Sequence, residues 1–268
     1  MSGAGNDFVV VDNRSGIIPD PEQFAVKVCH RRYGIGADGL LLVEKSSRAD
    51  FTMKYYNADG SYGGMCGNGG RCIAKYAFDE GIVQTKVFSF DALEYVYTAT
   101  QHAPNVYELK MKNPQDFRAR QTVAIDDQKV YVHSVDTGAP HCVIFLDENP
   151  GLGKIENLDV YGIGRKIRYH KLYEPKGTNV NFVSVNTDKS IVIRTYERGV
   201  EDETLACGTG SIASSLISAS RYSWSKPVTV NVKSGELLEV GFQKNGNEFT
   251  EIRLKGNAQI TFRGIIEL

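Results

Sequence analysis

The sequence predicts an α/β (α+β) protein built from two copies of one unit, and three observations carry that prediction. Landmarks recur at almost one offset. Cys66-Gly67-Asn68-Gly69 and Cys207-Gly208-Thr209-Gly210 lie 141 positions apart, Gly36-Ala37-Asp38 and Gly177-Thr178-Asn179 also 141, and Tyr56-Asn57 and Tyr196-Glu197 140. In each copy the cysteine leads a glycine-punctuated turn that opens into a helix-compatible run, 72–78 and 212–217. The remainder of each copy reads as short β-rich runs separated by Gly, Pro, Asn and Asp turns. Near the two starts, residues 5–12 resemble residues 138–147. Because strand, turn and helix recur in one order, chance similarity of glycine turns is the weaker explanation. A ligand is expected between the copies, since clefts form at domain interfaces.

Taken in order, residues 9–11 form a short buried strand that ends in the Asp12-Asn13 turn. Residues 21–29 begin with Pro21 and space their apolar side chains at helical intervals, which predicts a helix. A glycine-rich loop, 31–39, contains Arg31-Arg32 as a solvated pair and feeds a strand at 40–43. A strand at 51–56 and the turn Asn57-Ala58-Asp59-Gly60 precede the first cysteine turn, whose helix Gly81 stops. Strands at 86–90, 95–99 and 106–111 follow. Asn113-Pro114-Gln115-Asp116-Phe117 then breaks the pattern. It divides a first half, 1–115, from a second, 116–256, with a last strand in about 257–268 able to return to the first. The second half reads as a strand at 130–136, the turn Gly138-Ala139-Pro140-His141, a strand at 142–146 and a helix at 158–168. Strands at 180–185 and 191–196 lead to the second cysteine turn and helix, and strands at 228–232, 237–242, 248–255 and 258–262 close the chain.

Composition narrows the function classes. Of 268 residues, 41% are hydrophobic and 24% charged, ample for a core. A net charge of −1 gives no general reason to expect nucleic acid or a membrane surface as partner. No apolar run approaches the roughly 20 residues that span a bilayer. The first residues lack the basic-then-apolar pattern of a secretion signal, so the cytoplasm is the expected compartment. Five cysteines, an odd number with no CxxC pair, point to reduced thiols rather than disulfides or zinc. Cys29, Cys72 and Cys142 lack glycine turns and read as core.

Cys66 and Cys207 read differently. The first turn of a helix presents unpaired N–H groups and a positive dipole end, which hold an anion and favour thiolate over thiol. Two thiols around one anionic substrate suit the inversion of a stereocentre, in which one removes a proton and the other supplies one. The charge that develops spreads into the substrate carboxylate, and Gly67, Asn68, Gly208 and Thr209 would supply the stabilising donors. No lysine motif for pyridoxal phosphate, no convincing dinucleotide fingerprint and no metal-ligand cluster is evident, so the expected chemistry needs no cofactor and no metal.

The stretches Gly3-Ala4-Gly5-Asn6-Asp7-Phe8, 33–39, Asn57-Ala58-Asp59-Gly60-Ser61, 66–72, Gly177-Thr178-Asn179-Val180, Glu197-Arg198-Gly199 and Ala206-Cys207-Gly208-Thr209-Gly210 together resemble diaminopimelate epimerase. The resemblance runs over essentially the whole chain. It implies two pseudo-symmetric domains, each a curled, barrel-like, mostly antiparallel sheet around a central helix. It also implies interconversion of LL- and meso-diaminopimelate without pyridoxal phosphate, in lysine and peptidoglycan-precursor synthesis, by a homodimer. Cys66 and Cys207 would be the acid/base pair, and His141 and Glu197 the residues that adjust the thiols. Gly67-Asn68 and Gly208-Thr209 would hold the reacting carboxylate, while Asn6, Asn57, Asn179, Glu197 and Arg198 bind the rest of the substrate. Arg198 would face the carboxylate of the non-reacting end. The chain departs from the family at Ala139, where many members carry Asn, and at Gly39, where some carry Gln. The stretch from Glu197 to Cys207 is one residue longer than in many members, and only Met1-Ser2 stand where the family has a short strand.

Two other readings use the same features. A proline or hydroxyproline racemase also uses two cysteines, but its first motif resembles Cys-Gly-His-Gly, where this chain has Asn68; a phenazine-type isomerase would not need the cysteine pair. A non-catalytic amino-acid-binding or thiol redox protein would instead make a Cys66–Cys207 disulfide its working state.

Overall fold

In the computed structural model, which describes residues 1–246 and 248–267, the chain falls into two units, Met1–Met111 with Lys255–Leu268 and Lys112–Leu254. The first contains β1 (Ser2–Gly3), β2 (Asn6–Asp12), α1 (Pro21–Cys29), β3 (Gly39–Glu44), β4 (Phe51–Asn57), α2 (Gly67–Asp79), β5 (Val87–Ala92), β6 (Tyr95–Ala103) and β7 (Val106–Lys110). Its strands pair in chain order. The β2–β3 and β4–β5 ladders are parallel, and the other ladders are antiparallel. The sheet curls around α2, which packs against β1, β2, β3, β4, β6 and β7. Ten of its thirteen residues are therefore buried, so this helix is covered nearly all round instead of presenting one apolar stripe. α1 covers the outer face, where Ala25, Val28 and Cys29 pack with Leu40 and Leu42. Buried on both faces, β3 reads as the continuous apolar run Leu40-Leu41-Leu42-Val43.

The second unit repeats the plan. It contains β8 (Gln115–Ile125), β9 (Gln128–Asp136), β10 (Pro140–Phe145), α3 (Val160–Arg168), β11 (Asn179–Val185), β12 (Ile191–Glu197), β13 (Asp202–Thr204), α4 (Gly208–Arg221), β14 (Val228–Asn231), β15 (Leu237–Asn245) and β16 (Glu248–Asn257) up to Leu254. Parallel β10–β11 and β12–β14 ladders occupy the places of β2–β3 and β4–β5. α4 lies within β9, β10, β11, β12, β14 and β15, and α3 packs outside on β11 and β12. The repeat holds at single residues: Leu40 pairs with Tyr56, and Val180 with Tyr196. Gly5 and Gly138 (φ 94° and 100°) and Gly36 and Gly177 (φ 83° and 66°) share left-handed backbone. This is the α+β architecture expected from the sequence, with a curled, mostly antiparallel sheet around a helix in each unit.

Several local expectations need correction. The glycines after Cys66 and Cys207 are not a turn; they are the first turn of the helix, because each cysteine is the N-cap. Gln115–Ile125 is a strand where a pattern break was expected. Its first six residues are exposed, so no alternation marks it until Val123 and Ile125. His141 lies in β10 rather than in the preceding turn. Residues 258–262 form no strand. Only Gln259 bridges, to Ser2, because β1 offers two residues and cannot extend a ladder.

Candidate active site

Each cysteine is placed by the same backbone. Cys66 (φ −116°, ψ 125°) caps α2, and Cys207 (φ −117°, ψ 114°) caps α4. Extended dihedrals turn the side chain back over the first helical turn, so the sulfur takes the part usually played by a Ser or Asp oxygen. Sγ of Cys66 accepts the N–H of Gly69 at 3.5 Å, and Sγ of Cys207 that of Gly210 at 3.4 Å. An N–H aimed at sulfur, at the positive end of a helix, stabilises a thiolate more than a thiol. Cys207 is buried and Cys66 half-buried. Cys29, Cys72 and Cys142 are buried as expected of core thiols, and burial pushes Cys29 and Cys142 up to about 12.

In the first unit the structure joins Asn6 to Asn68. The Asn68 carboxamide donates to Oδ1 of Asn6 at 2.6 Å and accepts from Arg71 at 2.8 Å, and Asn6 donates to Asp38 at 3.0 Å. Arg71 is fully buried and also reaches the carbonyls of Gly67 and Asn257. The chain of donors fixes both amide orientations, since Arg71 can only donate and the Asp38 carboxylate only accept. Arg31 is not merely solvated: it grips Asp7 with two hydrogen bonds at 2.9 Å each and reaches Asp38 at 2.8 Å. Burial pushes the Asp7 carboxyl up, but the hydrogen bonds from Arg31 and Asp38 together with the Arg31 charge outweigh it and hold the group below the usual carboxylate range. Asn57, at the end of β4, is held in its own turn by Ser61 Oγ at 3.0 Å.

In the second unit His141, Thr209 and Cys207 form one string. Nε2 of His141 lies 2.9 Å from Thr209 Oγ1, which lies 3.5 Å from Cys207 Sγ. Burial and, secondarily, the charge of Arg198 bring His141 down to about 3, so the ring is neutral at physiological pH. Asn179 is tied to the loop after β12: its Oδ1 accepts the Arg198 N–H at 2.9 Å, and its amide donates to Pro140 O at 3.0 Å. The Arg198 guanidinium donates to Lys176 O at 3.1 Å, and Glu197 accepts from Thr204 at 2.9 Å. Sequence reasoning passed over Asn181, which contacts His141, and Thr195, which donates to Asn181. The available signal was an asparagine between Val180 and Phe182, a polar side chain inside a run buried on both faces.

No helix among the described residues is long and apolar enough to cross a membrane. Residues 1–108 and 133–261 match the family model described as Diaminopimelate epimerase. The chain is 45% identical over 270 residues to the diaminopimelate epimerase of Chlorobaculum tepidum, covering 100% of both chains. It is 42% identical over 266 residues to that of Flavobacterium psychrophilum, covering 98% of this chain and 97% of the relative. Among solved structures, a probable proline racemase from Agrobacterium radiobacter K84 is similar with a TM-score of 0.70 at 15% identity, over 98% of this chain and 92% of that one. At that identity the likeness is one of fold.

Proposed function

This chain belongs to the diaminopimelate epimerase family, and we propose that it interconverts LL- and meso-diaminopimelate with Cys66 and Cys207 as the acid/base pair, without a cofactor. The observation that most supports the reading is the matched capping of α2 and α4, each by a cysteine whose sulfur accepts the N–H three residues on. A thiolate forms an S–H bond as the α-carbon C–H bond breaks, and the electron pair passes into the carboxylate as an enolate-like species. The thiol on the other face then gives its proton to the α-carbon and becomes the thiolate, so the reverse reaction exchanges the roles. N–H groups at the two helix N-termini, Gly67-Asn68 and Gly208-Thr209, meet the charge as it forms. Asn6, Asn57, Asn179, Glu197 and Arg198 hold the remainder of the substrate, and His141 and Glu197 adjust the thiols. In this reading the enzyme works as a cytoplasmic homodimer in lysine and peptidoglycan-precursor synthesis.

Incubation with LL-diaminopimelate in deuterated water under reducing conditions tests the proposal. Deuterium uptake at the α-carbon together with the meso isomer is the expected result. Uptake with proline instead would make the protein a racemase of that class. Replacing Cys66 or Cys207 by Ala is expected to lower inversion by at least about 100-fold, the lower range for loss of a positioned acid or base; near-native turnover by either variant sinks the two-thiol scheme.

A further inference from the structure

We propose that Asn181, locked by Thr195, is a positioning residue for Cys207: it fixes His141 in the tautomer that makes the Thr209 hydroxyl a hydrogen-bond donor to the sulfur. The inference rests on Cys207 being an acid/base residue, and its direction follows from donor counting. The Asn181 carboxamide nitrogen lies 2.9 Å from the Cys142 carbonyl oxygen, which can only accept, so that atom is the NH2 group. Its oxygen accepts from Thr195 Oγ1 at 3.0 Å. The second N–H points at Nδ1 of His141, 3.1 Å away, so Nδ1 carries the lone pair. In a neutral ring the proton is then on Nε2, which donates to Thr209 Oγ1. The hydroxyl, having accepted there, has its own hydrogen for Cys207 Sγ. With the Gly210 N–H, the sulfur receives two donors, an arrangement that favours the thiolate.

Packing alone does not account for the asparagine. Asn181 is fully buried on β11, and a buried carboxamide costs free energy unless its groups are paired. The equivalent position of the first unit is Leu41, whose side chain fills the matching space beside Gly69. A Cβ on Gly210 would stand 2.3 Å from Asn181 Oδ1, so the helix is glycine where the carboxamide needs room. The charged and titratable groups around the string are few among those described. Arg198 follows β12 and acts on His141. The Cys142 thiol of β10 is pushed up by burial, as is the Tyr173 hydroxyl beside it. Glu197, at the end of β12, accepts from Thr204.

Two measurements on the full chain without substrate test this, so that they stand apart from the epimerase assay. In the first, nitrogen-15 NMR of labelled histidine, assigned with His141→Gln, is expected to show His141 with its proton on Nε2; a proton on Nδ1 overturns the proposal. In the second, thiolate ultraviolet absorbance is titrated in a Cys66→Ala background, with the Cys66→Ala/Cys207→Ala curve subtracted. Adding Asn181→Leu is expected to raise the Cys207 midpoint by about one pH unit, as loss of one donor to an ionised group should. Thr209→Val should raise it equally, Thr209→Ser should leave it in place, and Asn181→Leu with Thr209→Val should give no further rise. An unmoved midpoint in folded Asn181→Leu, or additive shifts in the pair, overturns it.

Discussion

Phe8 and His141 hold the same place in the two units: Phe8 pairs with Gly39 at the head of the β2–β3 ladder, and His141 pairs with Asn179 at the head of β10–β11. Two residues beyond those partners stand Leu41 and Asn181, beside the third residue after each cysteine. The backbone is duplicated, but what backs the two helix starts is not. Phe8 and Leu41 approach Gly69, while Asn181 approaches Gly210 and carries a hydrogen-bonded string to Cys207. A common frame therefore presents two thiols in chemically different surroundings, and substitutions at equivalent positions should have unequal effects.

The two helix-start glycines give the most direct comparison. A Cβ on Gly69 would meet Leu41 Cδ2 at 3.2 Å, an apolar group able to yield, whereas on Gly210 it would strike Asn181 Oδ1 at 2.3 Å. Gly69→Ala should be near neutral, since a helical Ala gains up to about 1 kcal/mol over Gly. Gly210→Ala should destabilise by about 1–3 kcal/mol, the usual cost of overpacking. Denaturant unfolding of both checks this; equal effects would mean that Asn181 gives way freely.

Arg71 is the largest fully buried side chain, and its planar fork divides between backbone carbonyls and Asn68. Lys at this position keeps the charge but not the fork. Arg71→Lys is expected to cost about 2 kcal/mol, the scale of a hydrogen bond to a charged group, and to raise KM more than it lowers kcat. An unchanged KM would show that Asn68 does not depend on Arg71 for its orientation.

How much of this was legible in the sequence depends on how far the cause of each feature extends along the chain. The repeat, α1 and the two cysteine-headed helices are marked locally, by glycines with required backbone angles, by Pro21 and by helical spacing. β8 carries no such mark, because a strand with an exposed first half has no alternation to show. Gly138 and Pro140 are strong breakers and predict a turn that takes in His141, yet its ladder with Asn179 begins just there. Asn181 shows in the sequence only as a polar side chain within an apolar run, and Thr195 carries no local mark. Their role comes from register across β10, β11 and β12, which no single stretch of chain records.

Acid stability should depend on Glu203. Burial pushes its carboxyl up, but hydrogen bonds from Arg194 and Lys233 outweigh that and hold it below the usual glutamate range. A depressed folded value means that the contribution is complete above the unfolded pKa, about 4.3, and is lost as pH falls through the folded one. Glu203→Gln is therefore expected to lose stability at pH 7 and to show a smaller further loss on acidification than the parent. Parallel stability–pH curves for the two would contradict this.

His141 should leave a signature of the opposite kind, because the buried ring resists protonation while the unfolded chain accepts it. Its folded pKa is about 3 against an ordinary value of 6.5, burial being the larger cause. Above about pH 6.5 neither state binds the proton and the residue adds no pH dependence. As pH falls from there towards about 3, the unfolded state alone binds it, so stability declines by up to about 1.4 kcal/mol per pH unit from this residue. His141→Phe, which installs the side chain of the equivalent position in the first unit, abolishes that contribution. It should lower stability at pH 8, where Asn181 and Thr209 lose their shared partner, yet flatten the curve between about pH 6 and 4. Denaturant midpoints measured across that range for both proteins decide the matter, and an equally steep decline in the variant would mean that His141 is protonated in the fold.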